Sequence, residues 1–122
     1  MERAHFRQLV REALDGVPVA IRRKISNVDL VIEDRPSPED LETAGLGRGD
    51  LLLGLYHGIP LPLRGEFYNL VLPDRISIYQ DHIEEVCDSN DEVREQVRVT
   101  VLHEIGHYFG IDDERLHELG MA

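Results

Sequence analysis

The sequence predicts a single α+β domain in which a small β-sheet packs against helices. Three observations carry that prediction. Apolar residues recur at helical spacing near the N-terminus, β-branched and apolar runs fill the middle, and an unbroken helical pattern occupies the last third. At 122 residues the chain has the size of one domain, 1–122, and no repeat or long linker divides it.

The elements follow in order. Phe6, Leu9, Val10, Ala13, Leu14 and Val17 form the stripe of an amphipathic helix, stopped by Gly16 and Pro18. A second short helix fits Pro18 to Ile25. Val28 to Glu33 reads as a strand before the breakers Asp34 and Pro36. Ser37 is placed to cap a short helix with Pro38 at its first position, ending near Gly45. Gly45 to Gly49 is a turn, since its glycines lack the Lys-Ser/Thr ending of a phosphate loop. Leu51–Tyr56 and Arg75–Tyr79 are two further strands, and Tyr68–Leu72 adds another before the Pro73-Asp74 turn. Cys87 is expected as a small buried apolar residue. Ser89 and Glu92 have the spacing of a capping box, opening a helix from about Asn90 to Phe109 with Val93, Val97, Val101 and Ile105 on one flank.

Composition removes several function classes. With 42% hydrophobic and 30% charged residues the chain is globular rather than disordered. No apolar run approaches the roughly 20 residues of a membrane span, and the Arg- and Glu-bearing N-terminus lacks the apolar region of a secretory signal, so no membrane partner is expected. The lone Cys87 permits no internal disulfide, which makes a cytoplasmic location the expectation. Twenty-four acidic against 13 basic residues, a formal charge of -11, disfavour a nucleic-acid partner. Seven aromatic residues and no Trp imply a small core, so the site should be an open groove.

The long helix from about Asn90 to Phe109 carries His103-Glu104-Ile105-Gly106-His107. Residues four apart on a helix differ by about 40° in direction and about 6 Å in height, so the two imidazoles project side by side toward one metal. Glu104 lies about 60° from His107, where its carboxylate reaches a metal-bound water without displacing it. Gly110 is suited to end the helix in a left-handed conformation, after which the chain doubles back and brings Asp113 to the metal as a third ligand. His117 and Glu114 are the alternatives for that role.

The stretch from His103 to Asp113 resembles the H-E-x-x-H-x-x-G-x-x-D signature of the Asp-zincin metallopeptidases. Together with Leu72-Pro73-Asp74-Arg75-Ile76 through Tyr79 and Asp112-Asp113-Glu114, the chain is similar to the small bacterial zincin-like metallopeptidases, the minimal zincins. The resemblance implies a minimal zincin-like fold with a short mixed sheet beside the motif helix, and one zinc per chain. It implies His103, His107 and Asp113 as ligands and Glu104 as the catalytic base.

The expected function is zinc-dependent peptide-bond hydrolysis, with Glu104 activating a zinc-bound water and a peptide or protein as substrate. A substrate strand added to a sheet edge is the arrangement zincins commonly use, and Leu51–Tyr56 and Ile76–Gln80 are the candidate edges. Tyr79, Tyr108, His82 and Arg75 are candidates to stabilise the transition state, whereas His5 and His57 carry no signal. A metal- or peptide-binding module with little turnover is the alternative. A metal-dependent ribonuclease is disfavoured by the acidic surplus, and the rRNA-maturation family with closely spaced His ligands has Gly where Glu104 stands.

Overall fold

The structure is a computed structural model, and it describes residues 1–25, 27–58 and 74–118. Its elements are α1 (Arg3–Asp15), α2 (Val19–Lys24), β1 (Val28–Glu33), α3 (Pro38–Thr43), β2 (Gly54–His57), β3 (Asp74–Tyr79), α4 (Gln80–Glu85), α5 (Asn90–Tyr108) and α6 (Asp113–Glu118). The class is α+β, as the sequence indicates. The sheet order is β1-β3-β2, with β1 parallel and β2 antiparallel to β3, so the sheet is mixed.

β3 is the central strand because it alone can bury both faces. Ile76 and Ile78 point into the main core, while Ser77 and Tyr79, on the opposite face, are also fully buried. Consequently Ile76–Gln80 is no edge: Asp74 to Tyr79 pair with β1, and Arg75 to Ile78 pair with β2. The run from Leu51 becomes a strand only at Gly54, although the Leu53 carbonyl still accepts from the Tyr79 N–H at 3.0 Å. The expected strand at Tyr68–Leu72 lies outside the described residues.

The core sits between the sheet, α1 and α5. Phe6, Leu9, Val10 and Ala13 of α1 meet Val93, Val97, Val101 and Ile105 of α5, all of them buried. These are the two stripes expected from the sequence. Ile83 of α4 joins the same core. Cys87 is half-buried at its margin, where desolvation and neighbouring acidic groups raise its thiol pKa. α3 lies on the other side of the sheet, held by the Tyr79 hydroxyl, which donates to Asp40 at 2.8 Å. Ser37 and Asp40 complete a reciprocal capping box at its start. Ser89 caps α5 by accepting from the Glu92 N–H at 3.1 Å, but the Glu92 carboxylate accepts from Asp88 N–H rather than from Ser89. Among the described residues, no helix is long and apolar enough to cross a membrane.

Candidate metal centre

Helix α5 presents three different faces at its C-terminal half. The apolar stripe through Val97, Val101 and Ile105 faces the core. Thr100 and Glu104, both buried, face β2. His103 and His107 are left at the flank, with side chains 25% and 32% exposed. The core stripe therefore sets the rotation that brings the motif side chains to the edge of the sheet.

Their geometry is close. The two imidazole rings lie 4.4 Å apart between centroids at 75°. Glu104 Oε1 is 3.1 Å from His107 Nδ1, and Glu104 Oε2 is 4.0 Å from His103 Nε2. One ligand atom from each of His103, Glu104 and His107 falls within 4.8 Å of the others. With Glu104 ionised, His107 donates from Nδ1, which leaves Nε2 as the lone-pair nitrogen suited to a metal. Imidazole and carboxylate donors suit zinc, so this donor set fits the metal that the motif implies.

β2 holds the other side of Glu104. Pairing of Leu53 with Tyr79 turns the main-chain groups of Leu53, Leu55 and His57 toward β3 and those of Gly54 and Tyr56 away from it. The outward Tyr56 N–H donates to Glu104 Oε1 at 2.8 Å. Gly54 sits against α5 so closely that a Cβ would lie 2.7 Å from Thr100 Cγ2 and 3.3 Å from Glu104 Cγ. No pattern in the sequence foretells this contact, because it is made by a main-chain group 48 positions away.

The cluster opens into a groove of about 570 Å³. Thr43, Ala44 and Leu46, at and just beyond the end of α3, form one wall, and Leu52 to Leu55 form the floor. Gln96, Val99, Thr100 and the three motif side chains form the other wall.

Beyond the motif, Gly110 takes φ +78°, and its N–H and that of Ile111 bond the carbonyls of His107 and Gly106 at 2.9 and 3.0 Å. This is the left-handed helix end expected there. Asp112 then caps α6, its Oδ1 accepting from the Arg115 N–H at 2.8 Å. Asp113 is the first residue of α6 and His117 lies within it, but both side chains lie outside the described residues. Glu114 is exposed.

The four candidate stabilisers are engaged elsewhere. Tyr79 is fully buried, and that burial, with its bond to Asp40, raises its hydroxyl pKa above the ordinary range. The Tyr108 hydroxyl donates to the Lys24 carbonyl at 3.2 Å, and its ring packs edge-on to Tyr56. His82 Nδ1 sits against the Leu52 main chain, 3.1 Å from its nitrogen. Arg75 lies 3.4 Å from His57 Nε2. His57, passed over in the sequence, is tied to Ser77 Oγ at 3.2 Å on the face of the sheet that carries α3.

Comparison with known proteins agrees with the geometry. A family model described as zincin-like metallopeptidase matches residues 25–121. The chain is also similar to a solved structure, a conserved hypothetical protein from Thermo thermophilus, at 26% identity and a TM-score of 0.59, covering 98% of this chain and 97% of that one. No curated protein matches. The family implies a zinc cofactor, and the match takes in the whole sheet, the groove and the paired imidazoles: the chain belongs to the zincin-like metallopeptidase family.

Proposed function

We propose that this protein is a zinc-dependent peptidase that hydrolyses peptide bonds in the groove beside β2. The observation that carries the reading is the convergence of His103, Glu104 and His107 ligand atoms within 4.8 Å of one another at the groove wall. His103 and His107 hold the metal and Asp113 completes the set from the start of α6. Zinc, when bound, supplies Lewis acidity toward a carbonyl and toward water. Glu104 takes the proton from the attacking water and passes it to the leaving amine. Its burial keeps that carboxylate away from bulk solvent, and His107 and Tyr56 fix its orientation. The single Cys87 fits a reducing, cytoplasmic setting.

A metal- or peptide-binding module with little turnover is the second reading. It is favoured by one observation: the hydroxyls of Tyr79 and Tyr108 and the His82 ring are committed away from the cluster. The separating experiment is a screen of proteome-derived peptides with zinc-loaded wild type and Glu104→Gln. The peptidase reading expects cleavage by wild type and a loss of about 100-fold or more in the variant, with metal retained. Zinc binding without cleavage by wild type would leave the binding module, and equal cleavage by both would remove Glu104 from the chemistry.

A further inference from the structure

The Glu104 carboxylate is not held symmetrically. Oε1 takes two contacts, from the Tyr56 N–H at 2.8 Å and from His107 Nδ1 at 3.1 Å. Among the described residues Oε2 accepts no hydrogen bond, and it lies 4.0 Å from His103 Nε2. The two oxygens are thereby given different work. We propose that Gly54 and the main-chain N–H of Tyr56 are positioning groups that anchor Oε1 and leave Oε2 to handle the proton. The inference rests on the reading of Glu104 as the proton acceptor.

Gly54 is what makes the anchor reach. A side chain there would meet Thr100 Cγ2 at 2.7 Å and the Ser77 carbonyl oxygen at 3.2 Å. Real Cβ atoms do not tolerate the first distance, so either the Thr100 side chain turns or β2 and α5 move apart. Tyr56 is two residues along the same strand, on the same outward edge, and its N–H moves with that separation. The Tyr56–Glu104 bond is buried, so its loss leaves a desolvated donor and an unanchored carboxylate. Displacements of about 1 Å at a reacting group cost on the order of 100-fold in rate.

The anchor also limits how substrate can dock. A peptide added as a strand along β2 needs the outward N–H groups of that edge. The Tyr56 N–H is given to Glu104, and the Leu52 N–H is 3.1 Å from His82 Nδ1. A regular ladder on this edge would compete with Glu104 for Tyr56.

Two measurements on the full chain test the proposal. The first needs no activity: amide hydrogen exchange in wild type, Glu104→Gln and Glu104→Ala. Glu104→Ala should speed exchange at Tyr56 by about tenfold or more while the inward amides of Leu55 and His57 keep their protection. Glu104→Gln, which keeps an acceptor oxygen, should keep Tyr56 protected. Unchanged Tyr56 protection in Glu104→Ala overturns the anchor. If Glu104→Ala loses protection everywhere, Glu104→Gln decides, since its Tyr56 amide must then stay as slow as in wild type.

The second measurement is steady-state cleavage by Gly54→Ala, Thr100→Ser and the double variant. Gly54→Ala should lower kcat about tenfold to 100-fold at nearly unchanged KM and metal content, and adding Thr100→Ser, which removes Cγ2, should restore much of it. A glycine needed only for packing would lower thermal stability and leave kcat per folded, metal-loaded molecule unchanged, and that result overturns the proposal. Absence of any wild-type cleavage would instead sink the peptidase reading, while the exchange experiment still reads the anchor.

Discussion

At the scale of single residues, much of the motif's chemistry is set by what surrounds each group. Glu104 is almost completely buried, which is tolerable for a carboxylate only because a main-chain N–H and an imidazole meet it. The spacing of His103, Glu104 and His107 was legible in the sequence, since helical geometry alone places them. The Tyr56 contact was not, because a main-chain donor carries no sequence signal. His57 was passed over for a similar reason: its neighbours Ser77, Arg75 and Asp40 come from two other elements. Burial, and next the Arg75 charge, lower the His57 pKa below its ordinary value near 6.5, against the opposing pull of Asp40, Glu33 and Glu104. In the unfolded chain His57 takes its proton first as pH falls. Stability from this residue is therefore constant above about pH 6.5, declines as pH drops from there through the folded pKa, and levels off below it. His57→Gln should flatten that part of the urea-midpoint profile relative to wild type. An NMR titration of His57 with a midpoint at or above the ordinary value would contradict the argument.

At the scale of elements, the sequence was most legible where local signals were strong. α1, β1, α3, β3 and α5 fall within a few residues of their expected bounds, because each has an apolar period, a cap or a breaker at its ends. α4 was not foreseen. Gln80–Glu85 has no side-chain cap and buries only Gln80 and Ile83, so nothing local distinguishes it from a loop. β2 was expected from Leu51 but begins at Gly54, where the strand first pairs fully with β3 and touches α5. The end of α5 behaves as its glycine indicates. Gly110→Ala places a Cβ on a backbone with φ +78° and should cost about 1 kcal/mol in a denaturant melt. An unchanged midpoint would show that the α5–α6 turn does not depend on the left-handed conformation.

At the scale of the whole molecule, the decisive fact is how the sheet formed by the described strands β1, β3 and β2 shares one edge with α5. Strand order was hidden from the sequence, since the neighbours of β3 come from segments far from it along the chain. The end of α3 lines the side of the groove away from α5, held to the sheet by the Tyr79–Asp40 bond. The third ligand is the part of the site that rests on the sequence pattern alone, through Asp113 and the turn that precedes it. In the proposed site, metal binding would tie these pieces together, since ligands proposed from α5 and α6 would be brought to one ion only in the folded chain. Zinc should therefore raise the melting temperature, by an amount that grows with free zinc concentration, and a chelator should reverse it. A melting temperature indifferent to both would separate the fold from the metal.

The most direct test of the central claim is the zinc content of purified protein after growth in zinc-replete medium, wild type against His103→Ala. Wild type should carry about one zinc per chain and the variant less than about a tenth of that. Wild type nearly free of zinc, or equal zinc in both proteins, would contradict the claim.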